Sequence, residues 1–234
     1  MPRSGRVREL RRRDLMRTGL VLTGGVLASA ALAACTPRTG TTVNESGRPS
    51  PAAHPTPSAA PAQRVLIAYF SRAGENYRYG GRVDLKVGNT QVAAEMIADR
   101  ITADVYRIQA ANPYPHDYEQ TVARNVQEEQ DDVRPAIRGQ LPSLDDYDTI
   151  LLGSPIWNVQ VPMIMRTFAE ALNWSGKDVY PFVTYAVSGM GNAQTDYTDL
   201  CNGATVHDGL ALQGETIHDA GQRVQSWLQR TGLA

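Results

Sequence analysis

Three short segments carry residue types suited to binding chemistry. Ser71-Arg72-Ala73-Gly74 follows an apolar run and resumes fourteen residues later as Asn89-Thr90, ahead of a helical stripe. A glycine-bearing turn at a strand's end, with hydroxyl and amide side chains at a helix N-terminus, has the form of an anion cradle. Backbone N–H groups and the helix dipole favour phosphate there without a full positive charge. Ser154-Pro155-Ile156-Trp157-Asn158 and Ser188-Gly189-Met190-Gly191 follow two further apolar runs. They offer an aromatic face and glycine-lined backbone whose N–H and C=O groups can address a polar edge. Cradle, face and edge together suit a phosphorylated planar heterocycle. Taken singly, each stays open. Trp157 can cap a core instead of meeting a ligand, glycine turns follow strands in many α/β proteins, and Arg72 can pair with phosphate or with a surface acid.

The elements that must position these segments alternate. Val65-Leu66-Ile67-Ala68-Tyr69-Phe70 is a continuous apolar run, suited to a strand buried on both faces. Val92, Ala93, Met96, Ile97 and Ile101 give a helical stripe. Strands are predicted at 105–108, 150–153, 182–187 and, weakly, 210–212. Helices are predicted around Tyr118, Val122, Asn125 and Val126; from Pro162 through Ile164, Phe168, Ala171 and Leu172; and around Ala193, Tyr197, Leu200 and Cys201, ending near Asn202-Gly203. A last helix carries Ile217, Ala220, Val224, Trp227 and Leu228. Five strand–helix units in about 170 residues predict a doubly wound five-stranded parallel sheet, three layers deep. A ligand is then expected at the carboxyl ends of the strands.

Residues 1–35 read differently. They hold seven of the 23 basic side chains and only two of the 24 acidic ones, so the rest carries a formal net charge of −6. With no basic stripe after residue 35, nucleic-acid partners are disfavoured. The basic stretch 3–17, the apolar stretch 18–34 and Leu32-Ala33-Ala34-Cys35 follow signal-peptide grammar, and the apolar run is short for a permanent span. The ending resembles a bacterial lipobox, with cleavage before Cys35 and a lipid anchor on that residue. Arg12-Arg13-Asp14-Leu15-Met16-Arg17 resembles a twin-arginine export signal. Residues 36–63 contain six prolines among small and polar residues and predict a disordered tether. Extended, it would reach roughly 85 Å at ~3.1 Å per residue. The globular domain is expected over 64–234, anchored to the outer face of the cytoplasmic membrane.

Other chemistry is poorly supported. His116, His207 and His218 have no metal-ligand spacing, and no Ser-His-Asp or paired-carboxylate arrangement is visible. Two cysteines so placed cannot build a disulfide framework or a cysteine metal site. Cys201 is expected to pack at a helix terminus. The acid run 128–132 is expected to be a solvated helix end.

The domain as a whole resembles the flavodoxin-like family, in its branch with an extended phosphate loop. The matching segments are Ala-Tyr-Phe-Ser-Arg-Ala-Gly (68–74), Val-Gly-Asn-Thr (87–90), Gly-Ser-Pro-Ile-Trp (153–157) and Ser-Gly-Met-Gly (188–191). Asn112-Pro113-Tyr114-Pro115 and Cys201-Asn202-Gly203-Ala204-Thr205-Val206 fit the same branch. The resemblance implies strand order 2-1-3-4-5 and FMN at the switch point between strands one and three. It implies that Ser71, Arg72, Ala73, Gly74, Asn89 and Thr90 hold the phosphate. Pro155, Ile156, Trp157 and Asn158 would border the isoalloxazine ring, with Ser188, Gly189 and Gly191 on its other edge. Ala73 stands where the family often has threonine, and Asn158 where this branch often has a second tryptophan.

The function so implied is electron transfer by bound FMN outside the cytoplasm, toward a redox partner protein or small-molecule acceptor. Two alternatives stand beside it: an NAD(P)H-dependent reductase of quinones, and a tethered binding module with a degenerate flavin site. Within the interruption 75–88, Gly80-Gly81 and the alternating Val83, Leu85 and Val87 predict a hairpin flap carrying Tyr77 and Tyr79. It is expected to cover the flavin or dock a partner.

Overall fold

The computed structural model describes residues 64–234; the signal, lipobox and tether readings lie outside the described residues. Eight strands and five α-helices follow in the order β1 (Val65–Phe70), β2 (Gly74–Arg78), β3 (Gly81–Leu85), α1 (Asn89–Ala98), β4 (Asp104–Ile108), α2 (Tyr118–Gln130), β5 (Thr149–Pro155), α3 (Met163–Glu170), β6 (Asp178–Tyr185), α4 (Ala193–Leu200), β7 (Thr205–Val206), β8 (Leu210–Gln213) and α5 (Gly221–Arg230). A 3-10 turn, Gly214–Asp219, precedes α5 and carries Ile217. The main sheet runs β4-β1-β5-β6-β7, all parallel, with β8 also on β6. With the hairpin strands set aside, this is the predicted order 2-1-3-4-5.

Burial of β1 on both faces produces two cores. Leu66, Ala68 and Phe70 pack with Ile150, Leu152, Ile164, Phe168 and Tyr197 on one face. Ile67 and Tyr69 pack with Leu151, Phe182, Ile97, Val224 and Trp227 on the other. Period-two alternation therefore splits a continuous apolar run between two helical layers.

Three details depart from the pattern reading. The fifth strand is broken into β7 and β8, because two residues of β6, Tyr180 and Pro181, face three, 207–209. Pro181 has no N–H to continue a ladder, so the break is a bulge at a proline. Next, β6 starts at Asp178 and ends at Tyr185, so Val187 lies beyond it and is 79% exposed. The neighbouring strands end opposite Thr184 and Tyr185, and nothing remains for residues 186–187 to pair with. Lastly, α2 buries Thr121, Asn125 and Glu128, while Val122 and Val126 are exposed.

The expectation of a solvated acid run is corrected at Glu128. Its carboxylate accepts from Tyr114 Oη at 2.8 Å and Arg124 Nε at 2.7 Å. Arg124 also donates to the Asn112 and Pro113 carbonyls and lies 3.9 Å over the Tyr114 ring. Burial and the facing carboxylate push the Tyr114 phenol well above its ordinary range. The i, i+4 spacing is helical, but the burial comes from the 112–115 turn folding over it. Cys201 is buried at the end of α4, and burial pushes its thiol up to about 12.

Candidate functional site

The carboxyl ends of β1, β5, β6 and β8 converge on two contiguous cavities. The smaller, about 110 Å³, is lined by Ser71, Arg72, Asn89, Thr90, Thr184 and Gly214-Glu215 among others. The larger, about 410 Å³, is lined by Ile156, Trp157, Asn158, Val159, Val187 and Ser188, with α2 residues opposite. Arg72, Asn76, Tyr77, Tyr118, Ile156, Trp157 and Ala186 border both. Both lie at the switch point, where β1 has β4 on one side and β5 on the other.

The cradle is built by close approach. Gly88 precedes α1, and a Cβ there would lie 2.3 Å from the Arg72 carbonyl oxygen and 2.4 Å from Ser71 Oγ. Without it, Ser71 Oγ reaches over and accepts from Gln91 N–H at 3.0 Å, capping the first turn of α1. Thr90, only 1% exposed, shares one hydrogen bond with Thr184, Oγ1 to Oγ1 at 2.7 Å. Two hydroxyls joined by one bond leave one O–H free to donate, as a phosphate oxygen requires. Gly214 has no Cβ to meet the Asn89 amide, which would otherwise be 2.3 Å away.

Arg72 neither reaches an acid nor lies free. Its guanidinium donates to the Ala73 carbonyl at 3.0 Å and to the Glu75 and His116 carbonyls. Burial lowers its pKa, while Glu75, Tyr118 and Asp117 oppose that. Its charge therefore sits fixed beside the cradle and ties the 71–75 loop to residue 116. Glu215 is the one acid lining the cradle; Oε1 accepts from Tyr79 N–H at 3.4 Å, and Oε2 is buried without a partner.

The interruption is the hairpin expected of it. β2 and β3 pair antiparallel around a two-residue turn, Tyr79-Gly80, with φ of 45° and 85°. The turn falls one residue before the predicted Gly80-Gly81. Its base is tied to α2: Glu75 N–H donates to the His116 carbonyl, Tyr118 N–H to Glu75 Oε2, and Arg82 pairs with Glu119. Asn76 and Tyr77 line both cavities, whereas Tyr79 is 65% exposed at the tip. The hairpin is thus a wall of the site.

The aromatic border is equally fixed. Trp157 meets Phe70 and Tyr114 edge-on, at centroid distances of 5.6 and 5.1 Å. It packs on the core and also lines both cavities. Residues 157–160 form a tight turn closed by reciprocal Trp157–Gln160 backbone bonds. Asn158 and Val159 occupy its centre at φ of 45° and 70°. Asn158 Nδ2 donates to Glu129 Oε2 at 2.5 Å, and Asn192 N–H donates to the Val159 carbonyl at 2.7 Å.

A β-branched residue at φ +70° is strained by ~1–3 kcal/mol, against ~0.5–1 kcal/mol of extra chain entropy for glycine. Val159→Gly should therefore stabilise the domain by about 1 kcal/mol and raise Tm by roughly 3 °C. A lower Tm in thermal melts would show that Val159 packing outweighs its backbone strain.

The predicted residues do not all meet. Ser71, Arg72, Asn89 and Thr90 line the cradle, and Pro155, Ile156, Trp157, Asn158 and Ser188 border one or both cavities. Ala73 and Gly74 line a separate cavity behind the loop. Gly189 lies in the open and lines neither cavity, while Gly191 gives room for the Val159 carbonyl, 2.3 Å from where its Cβ would be. Pattern reasoning missed Thr184, Gly214-Glu215 and the α2 face. A lone threonine inside the apolar run 182–185 was the available signal for the first.

Fold and site together define a doubly wound α/β domain with an anion cradle and an aromatic-bordered cavity at its switch point. A family model described as Flavodoxin matches residues 64–231. The chain belongs to the flavodoxin family. A candidate flavoprotein from Bacteroides uniformis ATCC 8492 is 30% identical, covering 71% of this chain and 98% of that one, with a TM-score of 0.57. One from Bacteroides eggerthii DSM 20697 is 28% identical over 73% and 99%, with a TM-score of 0.59. A flavoprotein from Lactobacillus acidophilus NCFM, in complex with FMN, shares the fold at 21% identity over 69% and 99%, with a TM-score of 0.51. No sequence among the curated proteins compared matches this chain.

Proposed function

We propose that this domain binds FMN and carries electrons outside the cytoplasm, tethered through a lipid on Cys35. The observation that carries the reading is the contiguity of the cradle with the Trp157 cavity at the β1–β5 switch point. Ser71, Asn89, Thr90 and Thr184 would hold the phosphate. Ile156, Trp157 and Ser188 would border the ring, with Tyr77 of the hairpin across from them. Bound flavin supplies electron acceptance and donation; the chain supplies position and excludes water.

The degenerate-site alternative loses its main support. Ala73 lines the cavity behind the loop, so its missing hydroxyl takes no donor from the cradle. Asn158 is committed to Glu129, and Tyr77 brings an aromatic ring to the ligand cavity.

Full-length protein should show a flavin visible spectrum that survives gel filtration and bleaches with dithionite. It should stay with membranes until Cys35 is changed to alanine. Colourless protein that leaves added FMN fluorescence unquenched would defeat the flavin reading. Steady NADPH oxidation with a quinone would replace the carrier reading with a reductase.

A further inference from the structure

We infer that Asn125 is the specificity-determining acceptor of the larger cavity, its side-chain oxygen taking the one N–H that an oxidised isoalloxazine ring carries. The inference rests on the proposed flavin site and deepens it. Among the described residues, two buried side-chain oxygens lack a partner, Asn125 Oδ1 and Glu215 Oε2, and both residues line the paired cavities. Glu215 belongs to the cradle. Asn125, only 4% exposed, lines the cavity of Ile156 and Trp157 and not the cradle.

The orientation of the amide is fixed. Asn125 Nδ2 donates to Glu129 Oε1 at 2.8 Å, one helical turn further along α2. A carboxylate accepts and does not donate, so the nitrogen end of the amide is the end that must meet it. Glu129 is itself pinned, because its other oxygen accepts from Asn158 Nδ2 at 2.5 Å, within the tight turn that starts at Trp157. Oδ1 is left as an acceptor, and a buried acceptor without a donor is costly to keep. Thr121, the other buried polar residue that α2 presents to this cavity, has its hydroxyl committed to the Pro115 and Asp117 carbonyls.

The partner that Oδ1 calls for is a donor on a ligand. Val122 and Val126 of the same helix, with Ile156, Trp157 and Val187, give the cavity apolar walls suited to a flat conjugated ring. The polar edge of oxidised isoalloxazine consists of nitrogens and carbonyl oxygens that only accept, apart from a single N–H between the two carbonyls. A protein carbonyl oxygen is repelled by every polar atom of that edge except this one. A ring without the N–H would leave the buried oxygen unpaired, and sites of that kind discriminate strongly.

The test is a competition. Full-length protein is equilibrated with an equimolar excess of FMN and 3-deaza-FMN, in which C–H replaces that N–H with the ring's shape kept, and the bound flavins are quantified after gel filtration. Wild-type protein should carry FMN over the analogue by at least about tenfold. Asn125→Leu, similar in volume but without an acceptor, should carry the two flavins within about twofold of each other. Should leucine not fold there, Asn125→Ala removes the same oxygen and should give the same result. The inference is overturned if wild-type protein takes up both flavins alike, or if the folded variant keeps the wild-type preference. Wild-type protein that binds neither flavin would remove the proposed function, and this inference with it, whereas uptake of both alike would overturn this inference alone.

Discussion

Replacing Gly88 by alanine is expected to weaken FMN binding at least ~100-fold, a loss of about 2.7 kcal/mol. Glycine is not needed there for its backbone, since φ is −70°. It is needed because the new methyl would lie 2.3 Å from the Arg72 carbonyl oxygen, 2.4 Å from Ser71 Oγ and 2.7 Å from the Arg72 carbonyl carbon. Two of those atoms are backbone. Arg72 is held by three carbonyls and Ser71 by Gln91 N–H, so neither can swing away cheaply. The start of α1 must move off the loop instead, taking Asn89 and Thr90 from the cradle. Overpacking of this kind also costs ~1–3 kcal/mol of stability.

Gly80→Ala is the control. It places a side chain at φ +85° with nothing within 4 Å, so it strains the hairpin tip without touching the cradle. Flavin-fluorescence titrations should show the Gly88 loss and an affinity within about twofold of wild type for the Gly80 variant, since it removes no contact. Equal losses would mean that hairpin rigidity, not close approach at Gly88, governs affinity.

Replacing Glu128 by alanine is expected to destabilise the domain by about 3 kcal/mol, lowering Tm by roughly 10 °C. The carboxylate is 8% exposed and its Arg124 partner 20%, so removal leaves a mostly buried guanidinium without its counter-charge. It also strips the Tyr114 hydroxyl of its acceptor. Tyr114→Phe separates the two effects. It keeps the ring against Phe70 and Trp157 and removes one hydrogen bond, a loss of about 1 kcal/mol. If both variants melt together, the Arg124–Glu128 pair contributes nothing beyond the tyrosine bond. Neither variant touches the phosphate cradle, so FMN should still bind the folded forms.

The hairpin shows how local and tertiary information divide. Alternating Val83 and Leu85 next to glycines specify two short strands and a tight turn, and that is what forms. Its docking depends on partners far along the chain: Glu75 with Tyr118, Arg82 with Glu119, and Tyr79 with Glu215. No spacing rule relates positions that far apart. Both expectations for it, flavin cover or partner dock, therefore stayed open in sequence. In the fold, Tyr77 lines the cavities and Tyr79 stands at the exposed tip.

Helix α2 shows the same division. The mainly polar helix expected around Tyr118, Val122, Asn125 and Val126 forms, and its packed face is Thr121, Asn125 and Glu128. The 112–115 turn and Arg124 supply the polar partners, and the valines are left to line the ligand cavity or face solvent.

The strand order entered through the family resemblance; by itself, the sequence determined the layer architecture and the places where loops open toward a ligand. Those depend on period-two and helical apolar patterns and on short-range turn chemistry, which act between near neighbours. Tertiary structure alone decided which loop atoms face one another. It joined Thr90 to Thr184, put Gly214-Glu215 in the cradle, turned Ala73 away from it and closed Gly88 against Ser71. The physical reason is close packing: contacts a few ångströms wide between distant segments are set only when both cores have locked the sheet.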